Sequence, residues 1–597
     1  MAAYLVLTCE VNASMDDQMS LEEVKTRLLA VRGTINSLFS QIEEFYIQDI
    51  HSEDEVLEKA LSELHNSGEI NLVELVNTAD RSSLGYDFFS ILHAFENTLP
   101  SLEASVEDVL VCLVNLTQQT GKDFAIGGFH RAFQLFCSLD TERPRSSIEV
   151  ISNHGEDDIY ASFISCSLLS FSSENVSEAI DIAENLSAHT NKAVRKQAYF
   201  FLGRVSVGED KADMVFHLLS TKSNSEQDSE CRASLLSSVL NFGKQYPSYW
   251  HRIRGLLSTF LKSISFEIQY EISRVIAFHE IDIPENIFNL LVIQLADVSP
   301  EHKGIVDNID HLLVKLIKKD SLPLAIDLLD SILNAGVDID SLDYLSHELR
   351  TTHKKTLNHI ITKWFLTGNT TLCHGAFDLL HDSIDENFEL NADMSLLSRE
   401  FEQVFVCHKA VGWLFTRPIA AASFILSIFE SGPPDSCNEL ERILYDPLLL
   451  SYPGKLKRYF NDRIEIDNQA DICKRLLHKL EQHHEDIDKV SQLKEMIAPL
   501  GNINSYWKDF DRSMQKARDE APKQFFEQIC TVQNILYGNS SIYYINQIDG
   551  ESVRQEMEMQ HFSHSTEMPG LNIVDPQNLD YLLRVYRHEK IKNEVNS

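Results

Sequence analysis

The chain has 597 residues, of which 43 % are hydrophobic and 32 are Phe, while its 22 Gly and 15 Pro fall below the usual ~7 % and ~5 %. That length exceeds what one compact core sustains, about 250 to 300 residues, so several domains or an elongated repeat array are expected, poor in turns and not sheet-rich. With 52 Lys plus Arg against 90 Asp plus Glu, the formal charge of -38 repels phosphate backbones and anionic lipid; nucleic acid is disfavoured over the whole surface and left only a local basic groove, while protein partners, basic ones best, suit the field.

In chain order, Met1 to Cys9 is apolar but has no basic start and runs into Glu10 and Asp16-Asp17, which is not the pattern of a secretory signal. Residues 20–48 read as one long helix, opened by Ser20 with Glu23 three residues on, a capping-box arrangement. A second helix begins near Ser52 and closes at Gly68, and further helices are expected near 70–79, 86–98, 105–119 and 126–138, with connections short enough for antiparallel neighbours.

From about 176 to 323 the apolar positions repeat every 37 residues. The first helix of each unit gives the columns Ala179, Phe216, Ile253, Leu290 and Ile182, Leu219, Leu256, Ile293. The second helix gives Val194, Cys231, Ile268, Ile305, then Ala198, Leu235, Ile272, Ile309, then Leu202, Val239, Ile276, Leu313. Steps of three and four put each set on one helix face, and a unit that cannot bury this face alone must bury it against its neighbours. The run Asn191-Lys-Ala-Val194-Arg195-Lys-Gln-Ala198-Tyr-Phe-Phe-Leu202-Gly203 resembles the second helix of a HEAT repeat, and Asp228-Ser-Glu-Cys231-Arg232 echoes it one unit later. The resemblance covers about 150 residues and departs from the family where Gln269 takes the arginine's place and where the proline between helices is missing. It implies an α-solenoid of the HEAT or armadillo kind, an extended and curved binding scaffold without a chemistry of its own.

Beyond 323 the register shifts, with helical pairs expected near 323–334 and 341–366, then 371–384 and 395–430. Gly432-Pro433-Pro434-Asp435-Ser436 sets a boundary, because paired prolines stop a helix. A helix follows near 468–497. Near the end, Ser541 to Ile548, Asp549-Gly550 and Glu551 to Phe562 read as a β-hairpin turning on Asp-Gly, and Asp575-Pro576 caps a last helix carrying Leu579, Leu582, Leu583 and Tyr586 on one side. The expected organisation is therefore all-α: an N-terminal helical region 1–139, helical hairpin repeats 140–431, a helical continuation 432–500, and a small α+β module 501–597 that caps the solenoid or docks on a partner.

Chemistry is sparse. Arg274 and His279 have the Arg-x4-His spacing that resembles the paired residues of helical HEPN ribonucleases, which would make Arg274 and His279 catalytic; the repeat alignment instead puts His279 in the core column of Val205, Phe242 and Leu316. His478, His483, His484, Glu485 and Asp486 lack the i, i+4 pair of a helical zinc site, and His561 with His564 are weak metal candidates beside Pro569. Phosphate-loop, dinucleotide and nucleophile-elbow motifs are missing, and no cofactor is implied. Cys373-His374 and Cys407-His408 are adjacent pairs, whose side chains point about 100° apart. The ten cysteines never form Cys-x-x-Cys and sit mostly in apolar runs, and no stretch of ~18 uncharged apolar residues occurs, so a reducing, cytoplasmic setting without membrane contact is expected. Among the basic groups, Arg584, Arg587 and Lys590 with Tyr586 on the last helix are the candidate partner-binding residues. The expected function is a non-enzymatic interaction scaffold or a subunit of a multiprotein complex; the alternative is a helical ribonuclease or nucleic-acid-processing component built on Arg274, His279 and the basic terminal helix.

Overall fold

Apolar residues spaced three and four apart give a helix one greasy stripe, and the computed structural model of the protein shows how each stripe finds a neighbour. It describes residues 20–49, 55–85, 87–120, 128–154, 157–278, 282–319, 321–381, 387–429, 436–491, 508, 512, 540–546, 552–558, 567, 569–571 and 575–591. The described residues are predominantly helical, and they divide between Leu345 and Ser346 into two compact units.

The first unit opens with α1 (Leu21–Val31), α2 (Ile35–Asp49), α3 (Val56–Asn66), α4 (Leu72–Asn77), α5 (Asp87–Thr98), α6 (Val106–Thr120), α7 (Gly128–Ser138) and α8 (Glu142–Asn153). The single helix expected over 20–48 is two: the chain turns at Arg32 to Thr34, so that Val24 and Leu28 of α1 and Leu38, Phe39, Ile42 and Phe45 of α2 are all buried. A straight helix of that length would leave one of these stripes in water.

The repeats follow as α9 (Ile164–Leu186), α10 (Lys192–Leu202), α11 (Glu209–Ser225), α12 (Ser229–Gln245), α13 (Trp250–Leu261), α14 (Phe266–Phe278), α15 (Glu285–Ile293), α16 (Lys303–Lys318) and α17 (Leu322–Asn334). The second helices of successive units, α10, α12, α14 and α16, pack side by side in chain order; α10 and α12 pack against the first helices of their own units, α9 and α11, and α12, α14 and α16 against the first helices that follow them, α13, α15 and α17. All twelve second-helix positions of the 37-residue columns are buried, from Val194 to Leu313. The first-helix columns hold for Ala179, Phe216, Ile253, Leu219 and Leu256 and then drift: Ile182 and Leu290 are half-buried and Ile293 is 60 % exposed, because α15 has only nine residues and turns a different face inward through Ile287 and Leu291.

Two details show how closely the second helices are shingled. A Cβ built on Gly203 would lie 2.5 Å from the Cα of Ser238, so only glycine lets α10 and α12 meet there. Arg195 clasps Glu226 through Nε at 2.9 Å and also donates to the carbonyls of His189 and Thr190. One unit on, Arg232 donates to the Thr259 carbonyl at the end of α13, and Gln269 donates to the Gln294 carbonyl just past α15.

The second unit contains α18 (Lys354–Thr367), α19 (Thr370–His381), α20 (Glu400–Leu414), α21 (Pro418–Ile428), α22 (Cys437–Ile443), α23 (Pro453–Asn461), α24 (Asp467–Ser491) and α25 (Pro576–His588). Two long helices expected here are broken. The stretch 341–366 is interrupted at Thr352-His353, and 395–430 stops before Pro418, whose ring and missing amide end α20 and start α21. Every residue of α21 is buried. Residues 431–435, with the paired prolines, lie outside the described residues.

Strand geometry among the described residues is confined to β1 (Ser540–Asn546) and β2 (Ser552–Glu558), which pair antiparallel with Asn546 opposite Ser552. A two-residue Asp549-Gly550 turn would set Asn546 opposite Val553, so the pairing register is shifted by one residue from that expectation. The side chains of both strands and residues 547–551 lie outside the described residues.

Candidate partner-binding surfaces

The second helices bury one stripe, and their opposite stripe shapes a surface. Along that stripe the repeat offset aligns Lys196, Ala233 and Tyr270 in one row and Phe200, Ser237 and Arg274 in the next. Small residues on the middle helix, α12, between large ones on α10 and α14 leave a trough of about 370 Å³, lined also by Arg204, Glu230, Phe266 and Glu271. Its rims are aromatic and wet: Phe200 is 36 % exposed, Tyr270 43 % and Phe266 53 %. Further along, Phe278 is 52 % exposed with its ring against His311, which also meets Tyr344.

The trough's charges are mostly satisfied from within. Lys192 and Lys196 both reach Glu230, at 2.5 and 3.0 Å. Arg274 holds Glu271 in a fork, with Nη2 to Oε1 at 2.6 Å and Nε to Oε2 at 3.0 Å, and this pair raises the guanidinium above its ordinary pKa. Arg204 differs. Its guanidinium lies 3.4 Å from the Phe200 ring centroid, and its buried Nη1 has no hydrogen-bond partner among the described residues. Burial, reinforced by the charge of Arg274, pulls Arg204 down to about 10.

The sequence candidates fall as follows. Arg274 lines the trough, tied to Glu271, and His279 lies outside the described residues, so no juxtaposition of the two is seen. His561 and His564 also lie outside them. On α24, His478 contacts Gln482, and the His483 and His484 rings stand 6.3 Å apart; among the described residues no group of three His, Cys, Asp or Glu is placed to hold a metal ion.

The candidate residues of the last helix are divided between interior and surface. Tyr586 is buried, stacked on His408 at 4.2 Å with the rings 9° from parallel, and Arg587 donates to the Gly412 carbonyl at 2.5 Å. Those two side chains contact α20 within their own chain. Arg584, which pairs with Asp580 on its own helix at 2.9 Å, and Lys590 remain exposed. The attachment is completed by Lys409, fully buried, donating to the carbonyls of Arg587 and Glu589 at 2.7 and 2.6 Å, and by His408 Nδ1 at 2.7 Å from the Glu589 carboxylate. Upstream, the Glu567 carboxylate accepts from the Gly454 and Lys455 amides at the start of α23. Nothing in the sequence near Lys409 or Glu567 announces these long-range partners.

Other basic side chains and the adjacent Cys-His pairs are used internally as well. Lys315 donates to the Ile276 and Ala277 carbonyls at the end of α14, and Arg350 to that of Leu379. Cys373 and Cys407 are buried, and burial pushes the Cys373 thiol up to about 12; His374 turns instead to Asp378 and His408 to Glu589, so neither adjacent pair forms a nucleophile with its base. No helix among the described residues is long and apolar enough to cross a membrane.

No family model matches the chain, and no curated protein is similar to it. Among solved structures, an engineered protein from a structural-genomics programme aligns with 14 % identity over 78 % of this chain and 99 % of its own, with a TM-score of 0.19. That score carries no argument about fold or function.

Proposed function

We propose that the protein is a non-enzymatic interaction scaffold, or a subunit of a multiprotein complex, that holds a protein partner along the exposed stripe of its second helices. The observation that carries this reading is the row of wet aromatic side chains, Phe200, Phe266, Tyr270 and Phe278, on helices whose other stripe is fully buried. Aromatic rings left in water lose free energy that a partner's surface would recover, and aromatics with arginine are the residues over-represented at interface centres. The repeats are read as HEAT-like, on the Val194-Arg195 and Leu202-Gly203 pattern. The strand pair with α25 is read as the terminal module, whose helix covers its own chain. A cytoplasmic setting fits the eight free cysteines among the described residues, seven of them buried.

No specific observation favours the ribonuclease reading, since the Arg274 guanidinium is engaged by Glu271. The test of the scaffold reading is co-purification of the intact chain from its own cells, with Phe266→Ser and Tyr270→Ser introduced together as the comparison. A stoichiometric protein that is retained by the natural chain and lost from the double variant is the expected result; a chain that stays alone at micromolar concentration overturns it.

A further inference from the structure

We infer that the second half of α24, residues 481–490, is a docking face for a basic amphipathic helix of a partner protein. The partner's apolar side chains would meet Ile487 and Val490, and its Lys or Arg side chains would lie along the flanking carboxylates. This face belongs to the second unit and does not depend on the exposed stripe of α10 to α16.

Along its first half α24 is a packed helix. Ile472, Cys473, Leu476, Leu477 and Leu480 are buried, and Arg475 and Lys479 both reach the Glu441 carboxylate of α22, at 2.9 and 2.6 Å. The helix then runs on without such cover: from Glu481 to Val490 every residue is exposed except His483, which is half-buried. At 1.5 Å per residue that half extends about 15 Å. At 3.6 residues per turn, Leu476, Leu480, His483, Ile487 and Val490 share one face, so the apolar stripe outlasts what buries it. Ile487 is 50 % exposed and Val490 39 %. A stripe of this kind on a helix already formed suits the side of another helix, because little ordering of α24 remains to be done on binding.

Charge decides the occupant. Asp486 stands on one flank of the stripe and Glu481 with Asp488 on the other, each about 100° or more round from Ile487. The one Lys or Arg of this half, Lys489, lies at the back with Glu485, 4.0 Å from that carboxylate and 3.3 Å from that of Asp486. Two copies of the chain brought together here would set like charges along both flanks in either orientation, and the formal charge of -38 adds to the repulsion. A partner helix with cations beside its apolar stripe places opposite charges on both flanks instead, and the field of the whole chain draws it in.

The test uses the full chain and two synthetic helical peptides that share one leucine stripe, flanked by lysines in the first and by glutamates in the second. The lysine peptide should bind, less tightly as salt rises, and the glutamate peptide about tenfold or more weaker. A chain of charge -38 attracts any lysine peptide to some extent, so the deciding variants alter the face itself. Ile487→Ser with Val490→Ser leaves the charge unchanged and should weaken the lysine peptide about tenfold or more. Glu481→Lys with Asp486→Lys should reverse the preference between the two peptides. All four side chains are exposed, and an unchanged thermal melt certifies each variant. Equal affinity of the natural chain for both peptides, or binding of neither, overturns the docking face. So does a lysine peptide held undiminished after Ile487→Ser with Val490→Ser, or an unreversed preference after Glu481→Lys with Asp486→Lys. A natural chain that is dimeric by light scattering and monomeric after Ile487→Ser with Val490→Ser overturns it in favour of a second copy. Phe266→Ser with Tyr270→Ser should bind the lysine peptide as the natural chain does; a loss there overturns the assignment to α24.

Discussion

Glu226 shows at the scale of a single side chain what holds one repeat to the next. It sits in the loop after α11, its side chain 8 % exposed, and receives Arg195 of the previous unit through Nε and Nη2 and the Tyr199 hydroxyl at 2.8 Å. Burial pushes its pKa up, yet the hydrogen bonds from Arg195, from the Asp228 amide and from Tyr199 outweigh burial and hold the carboxyl below the ordinary glutamate range. A carboxyl depressed in the folded state lends stability above the unfolded value, near 4.3, and loses it as pH falls toward the lower folded value. Glu226→Gln is therefore expected to cost about 2 to 3 kcal/mol at pH 7, because Arg195 is left buried without its charge partner, and to flatten the loss of stability below about pH 4.5. Urea unfolding at pH 7 and at pH 3.5 checks both; a variant as acid-sensitive as the natural chain would remove Glu226 from the account. Tyr199→Phe, which deletes one hydroxyl donor to the same carboxylate, should cost about 1 kcal/mol with the same sign of pH effect.

At the scale of elements, the repeat was legible because its physics is local. A second helix must bury positions three and four apart, and Val194, Ala198 and Leu202 recur as Ile305, Ile309 and Leu313 three units later, all buried. The departure at Gln269 also makes sense there: its amide reaches the Gln294 carbonyl as the Arg232 guanidinium reaches that of Thr259, so the position needs a long donor more than a charge. Helix breaks were less legible. Gly33 and Thr352 interrupt apolar periods that continue on both sides, and the choice to turn is made by what the stripes can bury, which sequence spacing alone does not state. Pro418 is the exception, a local stop that the long 395–430 period had masked. Glycine separates the two kinds of constraint experimentally. Gly203→Ala drives a methyl into the backbone of Ser238 and should destabilise by about 1 to 3 kcal/mol. Gly255, inside α13, has open space where a methyl would stand, with nothing within 4 Å, and should gain about 0.5 to 1 kcal/mol on becoming Ala. Thermal melts of opposite sign are expected, and equal signs would show that shingling at Gly203 is loose.

At the scale of the molecule, the second unit is tied together over separations that no local pattern encodes. His408 meets Glu589 across 181 positions, Arg587 meets the Gly412 carbonyl across 175, and Lys409, apolar-surrounded and fully buried, has the two carbonyls of Arg587 and Glu589 as its acceptors. The amphipathic face of α25 was readable from Leu579 and Tyr586, but its destination was not: Tyr586 looked like a binding residue because an aromatic beside cations on a last helix has the composition of an interface. The interface is intramolecular. Tyr586→Ala should leave the stacked face of His408 open to water, costing about 3 kcal/mol or more within the second unit. Hydrogen exchange is the measurement suited to it, since local opening reports where stability is lost. Faster exchange in α20 and α25 with α10 to α16 unchanged is expected. The result that contradicts this is unaltered protection of α20, because a helix that keeps its amides closed without Tyr586 is not being held by it. Lys409→Met sharpens the comparison: the methionine fills the lysine's volume without its donors, so protection should fall at the end of α25, where the Arg587 and Glu589 carbonyls lose their partner, more than in the middle of α20.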